Sequence, residues 1–152
     1  ATIRRQRQMC IRDRVRTESY DPWVNALQSD GRNPADYRVG IIRSILVTDD
    51  KASDWEPVRA SERYRMKLYR RFFEESGEGF GRHGEQVPQT WIVGDVDHCV
   101  DEIKAFVRSF GITDIVSMAV PPGMRAGDMS QSLERLFTQV VPRVKQELQL
   151  EV

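Results

Sequence analysis

The side chains that could do chemistry in this sequence are few and scattered. Arg43 and Ser44 lie inside an apolar run, and Arg82 and His83 lie in the glycine-rich segment 77–89. A charge inside an apolar strand needs a partner, so Arg43 is either a site residue or half of an ion pair. His83 titrates near neutral pH, which suits either proton transfer or simple exposure in a polar loop. A glycine-rich polar segment of this kind is typical of a mobile loop or a lid over a site.

Four other candidates have an ordinary structural interpretation. His98 and Cys99 are expected on the exposed and buried faces of one helix, where the thiol acts as a small apolar group. Asp49 and Asp50 follow a strand and are interpreted as a helix cap rather than an acid/base pair. The sequence shows no Ser/His/Asp set, paired carboxylates or metal-ligand spacing. It therefore leaves catalytic residues unassigned and predicts no metal site.

A strand and a helix are predicted in the middle of the chain to position these residues. The apolar run 90–93 ends at Gly94, and Asp95 stands where a helix N-cap belongs. Apolar residues then recur at helical spacing up to Phe110, and Gly111 follows as a C-cap. Gly94 ends the strand at a point where a side chain would obstruct a pocket or a cofactor.

A second strand and a closing helix follow. Residues 114–120 form the strand, which Pro121, Pro122 and Gly123 interrupt. Two strands joined by a helix form a βαβ unit, which requires a parallel sheet. The closing helix carries a single apolar stripe, predicted to consist of Leu133, Leu136, Phe137, Val140, Val141, Val144 and Leu148.

The upstream half contributes one more strand and helix. Residues 38–47 are almost continuously apolar, as in a parallel strand covered on both faces. A helix from about Ala52 to Glu75 follows. The sequence thus predicts an α/β fold with three parallel strands in chain order, each followed by a helix.

Three stretches of the chain resemble a known family. Trp91-Ile92-Val93-Gly94-Asp95, the helix that ends at Phe110-Gly111, and Val140-Val141-Pro142-Arg143-Val144 are similar to the C-terminal end of luciferase-like monooxygenases. The resemblance covers roughly residues 20–148. Val96 departs from the pattern, since the family often has proline at this first helical turn, where proline only pre-sets the helix.

The resemblance implies a fold, a cofactor and partners. The fold is a β/α barrel of the TIM type, of which this chain would hold the last three β/α units. The activity is monooxygenation of a small organic substrate with reduced FMN and O2, or oxidoreduction with a deazaflavin. An FMN-dependent member needs a flavin reductase, and the full-length protein would be a homo-oligomer. No nucleic-acid or membrane partner is expected.

Site residues follow from the same resemblance. Gly94, Arg43 and Ser44 are expected to bind the cofactor, and Arg82 and His83 to bind the substrate, with Arg82 contacting an anionic group as a loop closes. One branch of the family carries an arginine and a histidine, two residues apart, on the strand equivalent to 38–47. In this chain those two positions hold Ile42 and Ser44, so that pair is not reproduced.

Length and charge define the domain boundaries that the sequence predicts. The chain has 152 residues, whereas a complete barrel has about 250, so residues 17–152 are interpreted as the C-terminal part of one barrel domain. Residues 1–16 form an arm that resembles translated adaptor sequence and is expected to be disordered. Its arginines are Arg4, Arg5, Arg7, Arg12, Arg14 and Arg16, against the single acid Asp13.

The arm also supports a second hypothesis, because arginine-rich segments bind nucleic acid or acidic surfaces. On that alternative the chain is a small non-catalytic α/β binding module. The sequence contains no apolar run of the roughly 20 residues that a membrane-spanning helix needs, and no signal-peptide pattern. A cytoplasmic location is therefore the expectation.

Overall fold

The computed structural model describes residues 20–73 and 90–149. The mixed α/β class predicted from the sequence is confirmed. In chain order the elements are α1 (Asp21–Ser29), a 3-10 turn (Pro34–Asp36), β1 (Gly40–Ile42), β2 (Ser44–Val47), α2 (Lys51–Phe73), β3 (Trp91–Gly94), α3 (Val96–Phe110), β4 (Asp114–Val116), α4 (Ala126–Arg135), a π turn (Leu136–Val140) and α5 (Val141–Glu147).

The chain divides into two compact units. Among the described residues, the first unit combines residues 20–41 with Ala105–Ile115, and the second combines residues 42–73 and 90–104 with residues 116–149. Each unit is described separately below. The single barrel domain expected for residues 17–152 stays a prediction.

In the first unit, Tyr20, which directly precedes α1, packs against the end of α3 through its aromatic ring. Tyr20 meets Phe110 edge to face, with ring centroids 5.3 Å apart. Gly111 ends α3 with φ of +57° and donates its N–H to Val107 O at 2.8 Å, which confirms the predicted C-cap. Asp114, in β4, accepts a hydrogen bond from Arg38 Nε at 3.0 Å. The Arg38 guanidinium, followed by the Thr113 hydroxyl, lowers the pKa of that carboxyl.

The second unit is built on the parallel pair β2 and β3. Their register runs from Ser44 opposite Trp91 to Val47 opposite Gly94. All four residues of β2 are buried, as expected for a parallel strand covered on both faces. The core that forms around this pair consists of Leu46, Trp55, Val58, Trp91, Val93 and Met129.

The predicted strand 38–47 is divided at Arg43. β1 pairs with β4, whereas β2 pairs with β3. At the division Arg43 N donates to Val116 O at 3.0 Å, and Ser44 N donates to Thr90 O at 2.8 Å. The predicted pairing in chain order is therefore wrong for β4, which pairs with the first strand segment. The physical reason is that a short strand with unpaired N–H and C=O groups hydrogen-bonds to whichever strand edge is open.

The closing helix is interrupted where a single helix was predicted. Val141 donates its N–H to Leu136 O, five residues back, which makes residues 136–140 a π turn. Pro142 explains the interruption, because proline has no N–H and its ring excludes the carbonyl four residues earlier. Phe137 was predicted to lie on the buried stripe, but it is 66% exposed.

Candidate functional site

A pocket of about 870 Å³ lies beside the carboxyl end of β2 in the second unit. We call it the α2–α4 pocket, since α2 and α4 form two of its walls and the turn at residues 122–124 forms a third. Its buried floor consists of Leu46, Val58 and Met129. Polar and charged side chains that line it are Asp54, Ser61, Tyr64, Asp128, Gln131 and Ser132.

A hydrogen bond from the end of β2 to α4 holds the floor in place. Val47 N donates to Ser132 Oγ at 2.9 Å, and both residues are buried. This bond satisfies a strand N–H that would otherwise be costly to bury. Met129 lies one helical turn before Ser132 and so shares the face of α4 that this bond holds against β2.

The third wall is the turn that the sequence predicted at Pro121-Pro122-Gly123. Gly123 has φ of +87°, a backbone conformation that favours glycine. Ser61 Oγ donates a hydrogen bond to Pro122 O and so links the turn to α2. Within the turn, Met124 N donates to Pro121 O at 3.1 Å, so two hydrogen bonds and a glycine set this wall.

Two carboxylates lie at the mouth of the pocket. Asp54 accepts a hydrogen bond from the Thr48 hydroxyl. Asp128 accepts from Arg125 N at 2.9 Å, and this bond lowers the pKa of the Asp128 carboxyl. The cap of α2 is Asp50, whose Oδ1 accepts from Ser53 N at 3.1 Å, so the predicted cap at Asp49-Asp50 is confirmed.

The structure does not bring the predicted cofactor residues together. Ser44 and Arg43 lie at the amino end of β2, while Gly94 lies opposite Val47 at the carboxyl end. Three residues of strand separate the two positions, or about 10 Å. Arg43 is half-buried, and its Nη1 donates to Ile42 O at 2.7 Å. Burial lowers the pKa of the Arg43 guanidinium. The predicted substrate residues Arg82 and His83, and the arm 1–16, lie outside the described residues.

Gly94 is closely approached by the side chain of His98. A Cβ at this position would lie 2.6 Å from Cδ2 and 2.9 Å from Cγ of His98, a ring that is exposed on its other side. We expect Gly94→Ala to lower the free energy of unfolding by about 1–3 kcal/mol, the usual cost of overpacking. Denaturant unfolding measures this change.

A double variant and a control variant separate steric crowding from other causes of the lost stability. Adding His98→Ala to Gly94→Ala should recover most of the lost stability, since the clashing ring is gone. Gly127→Ala is the control, because a Cβ there meets nothing within 4 Å. If the double variant is as unstable as Gly94→Ala alone, the crowding explanation is wrong.

Cys99 is fully buried in α3, as predicted, and its thiol contacts Gly94 O at 3.5 Å. Burial, and then the Asp95 carboxylate, raise the pKa of the thiol from 9.0 to about 12. The folded state therefore keeps this proton when the unfolded chain loses it. The contribution of Cys99 to stability is fully present below pH 9.0 and is lost as the pH rises toward about 12.

Thiol chemistry tests the environment of Cys99. In a Cys10→Ser variant, which leaves Cys99 as the single cysteine, we expect slow reaction with an aromatic disulfide reagent at about pH 8. Unfolding in urea should restore the reaction rate of an ordinary cysteine. A native chain that reacts as fast as the unfolded chain would contradict the burial of this thiol.

Sequence reasoning missed the pocket-lining residues. The sequence gives only a weak signal that these residues line a pocket. Ser61 lies in the middle of α2, and Asp128 and Ser132 lie one helical turn apart in α4. Only the fold brings these two helices to one strand end. Within residues 20–73 and 90–149, no group of three His, Cys, Asp or Glu side chains could hold a metal ion.

No protein-family model matches the chain, and no curated protein matches it either. Among the described helices, none is long and apolar enough to cross a membrane.

The lining of the α2–α4 pocket does not fit a flavin phosphate. A bound phosphate needs cationic side chains or helix N–H groups. The lining instead contains the carboxylates of Asp54 and Asp128, and it contains no lysine, arginine or histidine among the described residues. The pocket therefore suits an organic molecule with an apolar body and no negative charge.

Proposed function

We propose that the chain is part of a luciferase-like oxidoreductase that uses reduced FMN and O2, or a deazaflavin, and that the α2–α4 pocket receives its organic substrate. The observation that carries the proposal is the position of the pocket beside the carboxyl end of the parallel strand β2. Enzymes with β/α folds bind their substrates at this end of the strands.

The dimensions and chemistry of the pocket support a substrate role. Sites for small organic molecules enclose about 300–1,000 Å³ and combine apolar walls with a few polar groups. The α2–α4 pocket has about 870 Å³, an apolar floor and polar side chains near its mouth. The side chains of this pocket bind and orient the substrate and exclude water from its apolar part.

The remainder of the proposal follows from the resemblance to the family. The parallel pair β2 and β3 supports the proposal. Pairing of β4 with β3 is not part of it, since β4 pairs with β1. A flavin reductase and a homo-oligomeric assembly belong to the same proposal. The non-catalytic alternative depends on the arginines of residues 1–16, and nothing in the described residues favours it.

Cofactor binding tests the proposed function. The natural protein that contains residues 20–149, expressed at its full length, should bind either FMN or a deazaflavin saturably. Quenching of the cofactor's fluorescence measures this binding. If neither cofactor binds, the proposal is wrong.

A pocket variant tests where the cofactor lies. Ala60 lines the α2–α4 pocket, and Ala52 lies on the same helix away from it. Ala60→Phe should leave flavin binding unchanged, as should the control Ala52→Phe. Loss of flavin binding in Ala60→Phe alone would make this pocket the cofactor site instead.

A further inference from the structure

We infer that the α2–α4 pocket binds a small organic ammonium ion, with the apolar body on the floor and the charged group beside Asp54 and Asp128. The inference rests on the proposed function in one respect, that this pocket receives the substrate. It adds the chemical class of that substrate, which neither the sequence nor the family resemblance indicates.

The charge of the lining favours a cation. Asp54 and Asp128 contribute two carboxylates, and no basic side chain lines the pocket among the described residues. Arg125 approaches Asp128 from outside at 3.3 Å, but its side chain is 90% exposed, so solvent screens much of its charge. The N–H of Arg125 holds the Asp128 carboxyl ionised at neutral pH. The mouth of the pocket therefore keeps a net negative charge.

The hydrogen-bonding groups favour a ligand that donates. An ionised carboxylate only accepts hydrogen bonds, and an ammonium group only donates them. Ser61 uses its proton on Pro122 O, which leaves the lone pairs of its oxygen to accept. The N–H donors of an ammonium group match the carboxylates of Asp54 and Asp128, whereas a sulfonate, phosphate or carboxylate would add further negative charge beside them.

The apolar floor of the pocket requires that the ligand also has an apolar body. Val58 and Met129 are almost completely buried beneath the pocket, and Met124 is half-buried at its side. Contact with these side chains removes apolar ligand surface from water, which stabilises the complex in proportion to the area covered. A small inorganic cation would not use this surface.

Three ligands of equal length but different charge test the inference. The full chain is titrated at low salt with n-octylammonium, n-octanol and n-octanoate, and binding is followed by calorimetry. We expect octylammonium to bind about tenfold more tightly than octanol, since one to two close charge pairs near a protein surface have this effect. Octanoate should bind most weakly, and added salt should narrow the differences.

A carboxylate variant connects the charge preference to the site. Asp54→Asn keeps an oxygen for the Thr48 hydroxyl but removes the charge. It should weaken octylammonium binding several-fold and leave octanol binding unchanged. Asp101→Asn, on the exposed face of α3 and outside the pocket, is the matched control and should change neither.

Several outcomes would overturn the inference. One is binding of octanoate as tight as that of octylammonium, and another is the absence of saturable octylammonium binding. The third is that Asp54→Asn weakens the binding of all three ligands equally while its melting temperature is unchanged. The flavin titration is an independent measurement. Octylammonium binding without flavin binding would contradict the proposed function and leave the ammonium site intact.

Discussion

Replacement of Trp91 by alanine is expected to lower the free energy of unfolding by about 3–5 kcal/mol. Trp91 opens β3, is 5% exposed, and meets the ring of Trp55 edge to face at 5.4 Å. The substitution removes a large apolar side chain from a core that also contains Met129. Because a domain of this size has a net stability of about 5–15 kcal/mol, the variant should unfold at much lower denaturant concentration.

Phe137→Ala provides the control for this prediction. Phe137 is also aromatic, but it is exposed in the π turn, so its removal should change the stability by no more than about 0.5 kcal/mol. Both measurements are made without flavin, so that they report core packing alone. Equal effects of the two substitutions would contradict the position of Trp91 in the core.

Arg65→Met is expected to have a comparably large effect, about 3–5 kcal/mol of lost stability. Arg65 forms an ion pair with Glu62 in α2, and Glu62 is 2% exposed. The guanidinium also lies over the ring of Tyr69, with its Cζ 5.6 Å from the ring centroid. Removal of the cation leaves a buried carboxylate without its charge partner, which is more costly than the original pair.

Two further variants identify the buried charge as the cause. Adding Glu62→Leu to Arg65→Met removes the isolated carboxylate and should recover most of the stability. Arg63→Met tests an exposed ion pair on the same helix, with Glu56, and should cost no more than about 1 kcal/mol. If Arg65→Met and Arg63→Met have the same cost in thermal unfolding, burial of the pair is not important.

The elements with local signals were predicted well. Asp95 caps α3 by accepting from His98 N at 2.8 Å, and Gly111 ends the same helix. Each of these features depends on residues within four positions of one another. The burial of Cys99 was also predictable, because the spacing of apolar residues identifies the buried face of an amphipathic helix.

Features that depend on distant pairing were not predictable in this way. The division of the strand 38–47 requires two partners more than 40 residues away, Thr90 and Val116. The α2–α4 pocket combines residues from three separate parts of the chain. Hydrophobic spacing reports that a residue is buried, but it does not identify the segment that covers it.

The π turn gives the C-terminal part of the chain a change of helical phase. An α-helix keeps one face toward one neighbour, whereas an extra residue in the turn rotates everything after it by about 100°. Before the turn, Ser132 is bonded to β2. After it, Arg143 pairs with Asp97 at 2.6 Å, and Glu147 pairs with Lys104, so α5 is attached to α3. One nearly continuous helical segment thereby faces two neighbours. The sequence of α4, which lines the pocket, can vary without altering α5, which is attached to α3.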